Sequence, residues 1–402
     1  MLSALLFRFG NAVLVSRSCN WKLGGFRIII VCIRPAATNR EAGTPVASTD
    51  ARLSRIVRVL SDHAMVVVSG TKIAEEIGTS RSEVWRLVQQ LRSLGVEIAG
   101  HPATGYRLES VPDLLLPDAI DPLVKGTIFR GHLHHYFRLG STNRAAMEAA
   151  QAGEPEGSVY FAEEQTAGHG RGGHSWHSER SAGIYVSVIL RPSISPVDVL
   201  ALSLMAGLAA AAAVEEVAGV RPDLRWPNDL MLRRRRDSAA ATTGATQDEE
   251  RKFCGILTEL NAEMTRVRYA VVGLGLNINQ CSFPEELQPL ATSLRMETGR
   301  TWSRVRVAAA LLQSLDREYR RLKGSATAAT NSSAEAAANL RLELFRRFEQ
   351  ASSYVRGRRV HVDEQGGYTG VTAGLNEQGF LLVRADDGPM KTVISGGVRG
   401  ID

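Results

Sequence analysis

Three glycines, Gly168, Gly170 and Gly173, are interleaved with His169 and Arg171 in the stretch that runs from Gln165 to Trp176. Their spacing, G-x-G-x-x-G, is that of a dinucleotide-binding turn, but the context is wrong for one. Such a turn needs a helix opening on the third glycine to receive a pyrophosphate. Residues 174–183 are polar with no apolar stripe, and residues 184–190 are a β-type apolar run. What remains is a glycine-rich loop between two strands. Glycines let a backbone approach a ligand closely and present successive N–H groups, and an arginine fork binds phosphate or carboxylate through two bonds at once. The loop therefore suits an anionic ligand, and a plain surface hairpin tip would use the same glycines.

Four further stretches carry polar groups in a fixed order: Ser141-Thr142-Asn143, Arg225-Trp226-Pro227-Asn228-Asp229, Arg251-Lys252-Phe253-Cys254-Gly255 and Gly273-Leu274-Gly275-Leu276-Asn277. Read singly, each has an ordinary role: Ser141 or Thr142 caps a helix, Trp226-Pro227 makes a rigid turn, and Lys252 beside Gly255 is a strand residue. In this order and approximate spacing, with the glycine loop after the first, they resemble the biotin protein ligases. More narrowly, the chain resembles the two-function bacterial form that is also the biotin operon repressor, because a DNA-binding pattern precedes them. The resemblance covers roughly residues 52–402.

That resemblance implies a two-step reaction. The biotin carboxylate attacks the α-phosphate of ATP, pyrophosphate leaves, and biotinyl-5′-AMP then yields its acyl group to a lysine of the biotin carboxyl carrier protein of acetyl-CoA carboxylase. Two anions meet in the first step, so cations and N–H donors must face both, and Mg2+ would neutralise the leaving group. By resemblance, Lys252 and Arg171 are catalytic. Ser141, Thr142, Asn143, Gln165, Gly168, His169, Gly170, Arg171, Lys252 and Gly255 bind biotin. Arg171, Trp176, Arg225, Asn228, Asp229 and Asn277 bind ATP, with Asp229 toward Mg2+. The adenylate would also be the corepressor of a homodimer on operator DNA.

The resemblance is inexact at two places. The family commonly has lysine where Arg225 stands, so a planar fork replaces a point charge. It reads Gly-Arg-Gly-Arg where this loop has His169, Gly172 and His174, which leaves fewer fixed charges near the adenylate. His169, His174 and His177 have no carboxylate or cysteine to complete a metal set.

Positioning these groups takes an α+β chain. Residues 142–152 read as a capped helix, residues 159–163 and 184–190 as strands flanking the loop, and residues 199–217 as a long apolar helix against a sheet. Residues 223–226, 253–261 and 269–278 read as further strands. The domains implied are an N-terminal extension without structure (1–50), a winged helix-turn-helix (51–110), a mixed-sheet catalytic domain of the class II aminoacyl-tRNA synthetase and biotin ligase type (111–350), and a small SH3-like β-barrel (351–402). Residues 112–122 read as a proline-bearing linker, and residues 233–250 and 324–338 as disordered inserts.

In the first module, Leu53, Ile56, Val57 and Leu60 fall at helical spacing, and Val66-Val67-Val68 suggests a short strand. A helix follows that ends at Gly78, and Ser80 with Glu83 three residues on starts the next. Arg81, Ser82, Trp85 and Arg86 lie on the exposed side of this second helix and are the DNA-facing candidates. Arg92 points to backbone phosphates, and residues 96–108 read as a hairpin wing.

Composition sets outer bounds. The 402 residues, 44% hydrophobic and 22% charged, fit two or three globular domains. A formal charge of +6 permits a nucleic-acid partner. Cys19, Cys32, Cys254 and Cys281 form no C-x-x-C pair, which fits a reducing compartment, here the cytoplasm, and gives no disulfide framework. The apolar runs near the N-terminus are far short of the ~20 residues a membrane span needs, so no membrane partner is expected. Two alternatives stay open on sequence: a lipoate-type protein ligase, and a DNA-binding regulator that senses biotin with little or no ligase activity.

Overall fold

The computed structural model describes residues 17–23, 26–32, 45–63, 66–101, 103–110, 113–233, 250–324, 333–364, 366–394 and 397–401. They fall into two units, residues 1–48 and 49–402. In the first, β1 (Arg17–Leu23) pairs antiparallel with β2 (Phe26–Cys32), with Leu23 opposite Phe26. The Ile28-Ile29-Ile30-Val31 run is β-branched throughout and favours a strand, so this stretch holds a hairpin where the sequence reading gives none.

The second unit begins within α1 (Pro45–Asp62) and continues with α2 (Gly70–Ile77) and α3 (Arg81–Ser93). Leu53, Ile56, Val57 and Leu60 are buried, as their spacing predicts. Ser69 Oγ accepts from Lys72 N at the start of α2, Gly78 closes it in the left-handed conformation (φ 69°), and Ser80 Oγ accepts from Glu83 N at the start of α3. The wing is β3 (Ile98–His101) paired with β4 (Gly105–Leu108). Of the expected strand at 66–68, only Val68 is paired, through a single bridge to Tyr106; Val66 and Val67 are exposed. The two backbone bonds that Val68 exchanges with Tyr106, both 2.8 Å, fix this segment to the wing without a longer strand.

After the short helix α4 (Pro117–Ile120), the catalytic domain is a seven-stranded sheet. Its strands are β5 (Leu133–Tyr136), β6 (Val159–Ala162), β7 (Gly183–Leu190), β8 (Asp223–Arg225), β9 (Asp229–Arg233), β10 (Glu250–Ala262) and β11 (Val267–Asn277), in the order β5-β6-β7-β11-β10-β9-β8. Only β5 and β6 run parallel. Helix α5 (Thr142–Ala152) packs with Tyr160, Ile189 and Val271, whereas α6 (Leu200–Ala218) shares the main core with Val186, Val188 and Val272. Alternate β residues point to opposite faces, so the two helices cover opposite sides of the sheet. Residues Pro196–Ala218 are long and apolar enough to cross a membrane, but this is the core helix and most of it is buried. Helices α7 (Leu294–Thr298), α8 (Arg304–Lys323) and α9 (Ser333–Gln350) complete the domain.

Helix α9 corrects the reading of 324–338 as an insert without structure for residues 333–338; residues 325–332 lie outside the described residues. Its alanine-rich start favours helix, and its buried Leu344, Phe345 and Phe348 dock it on the core. The other insert falls almost wholly outside the described residues. The C-terminal domain is a five-stranded antiparallel sheet of β12 (Arg356–Val362), β13 (Tyr368–Leu375), β14 (Leu381–Ala385), β15 (Met390–Val393) and β16 (Val398–Gly400), in the order β15-β14-β13-β12-β16. Trp226 Nε1 donates to Gly379 O at 3.0 Å and ties it to the catalytic domain.

Candidate active site

Three glycines make the floor of a cleft on the sheet. Gly255 on β10 lies opposite Gly275 on β11, and Gly273 lies opposite Leu257. A Cβ at Gly275 would come within 2.4 Å of the Trp176 indole, one at Gly255 within 2.8 Å, and one at Gly273 within 2.0 Å of Asn143 Oδ1. No side chain fits at these positions, so the floor stays flat and the neighbouring groups rest directly on backbone. The cleft spans about 440 Å³, open solvent at its mouth included, and is lined by Ser141, Thr142, Asn143, Gln165, His169, Gly170, Arg171, Trp176, Asn228, Lys252 and Gly255, with Ile256, Leu257, Gly273, Leu274 and Gly275.

The glycine loop folds back on itself as a narrow hairpin: Gly170 N donates to His174 O and Trp176 N to Gly168 O. Gly172 and Gly173 take φ of 72° and 83°, a conformation that side chains other than glycine disfavour. Burial holds the Arg171 guanidinium below its ordinary pKa, while the carboxylates of Asp229 and Glu364 oppose that shift.

At one end of the cleft, Lys252 of β10 lies opposite Met231 of β9, just before a register shift that leaves Phe253 as an extra residue ahead of Cys254. The Lys252 backbone N donates to Leu290 O, and its Nζ lies 2.6 Å from Asp229 Oδ1 and 5.4 Å from the centre of a Trp176 ring. Asn228 Nδ2 donates to Ile256 O at 3.0 Å. At the other end, Ser141 caps α5 and Gln165 Oε1 accepts from both Thr142 N and Thr142 Oγ1. Gln165 Nε2 donates to Ser178 Oγ, and Ser187 Oγ lies within hydrogen-bond distance of both Thr142 Oγ1 and Asn143 Oδ1. The cleft thus offers a polar network at one end and an ammonium with a guanidinium at the other.

Gly168, Asp229, Arg225 and Asn277 do not line this cleft. Gly168 flanks it through its bond to Trp176, and Asp229 reaches it through Lys252. The structure departs from the expectation for the other two. Arg225 donates to Val398 O at 2.6 Å and lies over the Tyr354 ring, so its fork fastens the C-terminal domain. Asn277 is 3% exposed, with Nδ2 donating to Thr292 O and Oδ1 accepting from Gln280 Nε2; it anchors the loop after β11. His174 and His177 are exposed beside the loop. Ser187 was hidden from sequence reasoning inside an apolar β run; Gly273 and Gly275, two glycines in a strand pattern, were visible as a place of close backbone approach.

On α3, Arg86 grips Glu83 in a two-bonded fork at 2.8 and 2.6 Å, which lowers the Glu83 pKa. Ser82 Oγ lies 2.9 Å from Ser80 Oγ, Arg81 starts the helix, and Trp85 is 47% exposed. Arg92 does not point outward: it donates to Ile98 O and Gly100 O and braces the wing.

Three family models match the chain: a biotin/lipoate A/B protein ligase family over residues 137–277, a helix-turn-helix domain over 52–107, and a biotin protein ligase C-terminal domain over 356–398. Among curated proteins, it is 35% identical over 267 residues to the bifunctional ligase/repressor BirA of Bacillus subtilis, covering 66% of this chain and 77% of that protein. It is 33% identical over 265 residues to the biotin–[acetyl-CoA-carboxylase] ligase of Mycobacterium tuberculosis, covering 64% and 84%. The biotin protein ligase of Aquifex aeolicus, solved in complex with biotin and ATP, superimposes with a TM-score of 0.52 at 26% identity, covering 67% of this chain and all of that one. With its helix-turn-helix, ligase and C-terminal domains in this order, the chain belongs to the biotin protein ligase family, in its bifunctional ligase and repressor form.

Proposed function

We propose that this chain activates biotin with ATP, transfers it to a lysine of the biotin carboxyl carrier protein of acetyl-CoA carboxylase, and uses the adenylate as corepressor on operator DNA in the cytoplasm. The observation that carries the ligase is the position of Lys252. Its ammonium stands at one end of a glycine-floored cleft that Arg171 also lines, 2.6 Å from Asp229, while the polar network of Thr142, Asn143 and Gln165 closes the other end. A ligand with an anionic tail and a hydrogen-bonding head fits that polarity.

The chemistry follows from the charges. Biotin carboxylate and ATP repel each other until a cation lies between them. Lys252 meets the carboxylate as it attacks the α-phosphate and remains beside the phosphoryl oxygens as charge builds there. Partial burial strengthens this interaction, because the effective dielectric is lower than in water. Arg171 has the fork geometry to hold two phosphoryl oxygens, and its loop sets it over the cleft, where the adenylate is kept from water. The mixed anhydride then meets a neutral acceptor amine, which displaces AMP.

Asp229 supplies a carboxylate beside Lys252, and no cluster of three His, Cys, Asp or Glu groups suited to a metal occurs among the described residues. One carboxylate fits a Mg2+ ion that arrives on the phosphates and keeps most of its waters. Such an ion would neutralise the pyrophosphate; Asp229 would hold it once ATP draws Lys252 away.

On DNA, α3 is the helix for the major groove, with Arg81, Ser82, Trp85 and Arg86 on its outer side and the β3–β4 wing beside it. Paired half-sites call for a homodimer. In support, β9 pairs with β10 only as far as Gly255, and among the described residues 258–262 of β10 pair with β11 alone. An open strand edge of that kind can be completed by a second copy.

The test is ATP-dependent transfer of labelled biotin to a purified carrier domain with lipoate as competitor. Transfer of biotin unaffected by lipoate establishes the ligase. Transfer of lipoate instead would make the chain a lipoate ligase, and binding without transfer would make it a sensor.

A further inference from the structure

Asn143 has little hydrogen-bonding capacity left for a ligand. Its Nδ2 donates to Leu257 O at 3.3 Å and to Glu259 Oε2 at 2.9 Å, and its Oδ1 lies 2.5 Å from Ser187 Oγ. An amide nitrogen has two protons, and both are used. The residue expected against the head of the ligand is therefore held in place by others. Glu259 is one of them, and its side chain is 35% exposed at the margin of the cleft. The same Oε2 stands 3.9 Å from His169 Nε2, on the glycine loop above. One carboxylate oxygen on β10 thus reaches both α5, through Asn143, and the loop, through His169.

The consequence runs along a chain of hydrogen bonds. With Asn143 oriented by Glu259, its Oδ1 faces Ser187, whose single proton is taken by that oxygen at 2.5 Å. The 2.8 Å contact between Ser187 Oγ and Thr142 Oγ1 then uses the Thr142 hydroxyl proton, while Gln165 Oε1 accepts from Thr142 N at 2.8 Å and Gln165 Nε2 keeps one proton beyond its bond to Ser178. That remaining N–H belongs to a residue that lines the cleft. A cyclic urea presents one carbonyl acceptor and two N–H donors, so the orientation of Asn143, Ser187 and Thr142 decides which of their groups faces it.

We propose that Glu259 is the positioning residue for the biotin ring: it orients Asn143, and through it Ser187 and Thr142, and its carboxylate faces His169 of the glycine loop. This rests on the reading that biotin places its ureido ring at the Thr142 end. It assigns Glu259 to ring binding and leaves the Lys252 end untouched, which separates it from a general structural role.

The experiment is calorimetric titration of the full-length chain with biotin alone, beside steady-state pyrophosphate release, for the wild type, Glu259→Ala and Glu259→Gln. Glu259→Ala should raise the Kd and KM for biotin about 10-fold or more, as expected for loss of a hydrogen bond to a charged group. Its kcat should stay within about 2-fold, and its KM for ATP should not move, since the Lys252 end is intact. Glu259→Gln keeps an oxygen that accepts from Asn143 and should recover most of the biotin affinity. His169→Ala should weaken biotin binding in the wild type and add nothing in the Glu259→Ala background. Unchanged biotin affinity in Glu259→Ala would overturn the proposal, as would a parallel fall in kcat and ATP affinity or a glutamine variant no better than alanine. Failure of the wild type to bind biotin would instead overturn the functional reading beneath it.

Discussion

Lys252 Nζ and Asp229 Oδ1 stand 2.6 Å apart, each on a strand beside the cleft and each about a quarter exposed, at 32% and 20%. The pair holds the ammonium in position before any ligand arrives, and it must open when a carboxylate and a phosphate compete for the lysine. Its geometry gives the two residues separable roles.

Lys252→Ala should abolish adenylate formation, with pyrophosphate release reduced at least ~10³-fold, comparable to or beyond the loss of one oxyanion donor. Circular dichroism should be unchanged, since the side chain is partly exposed. Near-normal release in this variant would remove Lys252 from the chemistry. Asp229→Asn should be milder in biotin binding and should mainly raise the Mg2+ and ATP requirement; a purely structural Asp229 would instead lower the melting temperature without changing the Mg2+ titration.

Arg171→Gly should let the adenylate escape before transfer, because the loop keeps its backbone donors but loses the fork. Streptavidin blots of a mixed lysate should show biotin on many lysines. Labelling confined to the carrier domain would mean that Arg171 does not retain the intermediate.

The resemblance rested on short motifs, and most of them sit together in the fold. Lys252, Gly255, Thr142, Asn143, Gln165, His169, Arg171 and Trp176 line one cleft although they span more than a hundred residues. Capping residues were legible too, because Ser80 and Ser141 act on the next turn of chain. Partners decided by distant chain were not legible. Arg225 keeps the charge of a lysine but uses its fork on Val398, 173 residues away, and Ser187 joins the polar network from within an apolar strand.

The most distant network is also a pH sensor of stability. Glu163 is 1% exposed; burial pushes its carboxyl up, but Arg304 at 2.8 Å, His135 and Leu115 N lower it further, to about 2. A carboxyl whose folded pKa lies below its unfolded value of 4.5 adds stability above pH 4.5, and that stability is lost as pH falls toward 2. The melting temperature should therefore drop between pH 4.5 and 2. Glu163→Gln should flatten that drop and lower stability at pH 7 by about 1.5–3 kcal/mol, since buried Arg304 loses a charge-assisted bond but keeps the Asp113 carboxylate at 3.7 Å and the Gly183 carbonyl. A variant with the wild-type pH slope would place the acid sensitivity elsewhere.

Arg180 links the ligand side of the catalytic domain to the DNA-reading module. Its Nε donates to Glu164 at 2.8 Å, one residue before Gln165, and its NH1 donates to the carbonyl of Ser93 at the end of α3, at 2.9 Å. Arg138 also pairs with Glu164, at 3.2 Å, so the carboxylate stays neutralised if Arg180 leaves. Arg180→Ala should thus keep ligase activity within about 2-fold, because no group in the cleft loses its partner. The module should lose a charge-assisted bond that fixes α3 against the catalytic domain, worth about 1.5–3 kcal/mol when formed. Operator binding should weaken roughly 10-fold or more if that orientation is the one DNA requires, and rise if DNA requires release. Gel-shift titrations with and without adenylate decide between the two, and an unchanged affinity in both would show that the Arg180 contact carries no coupling between the sites.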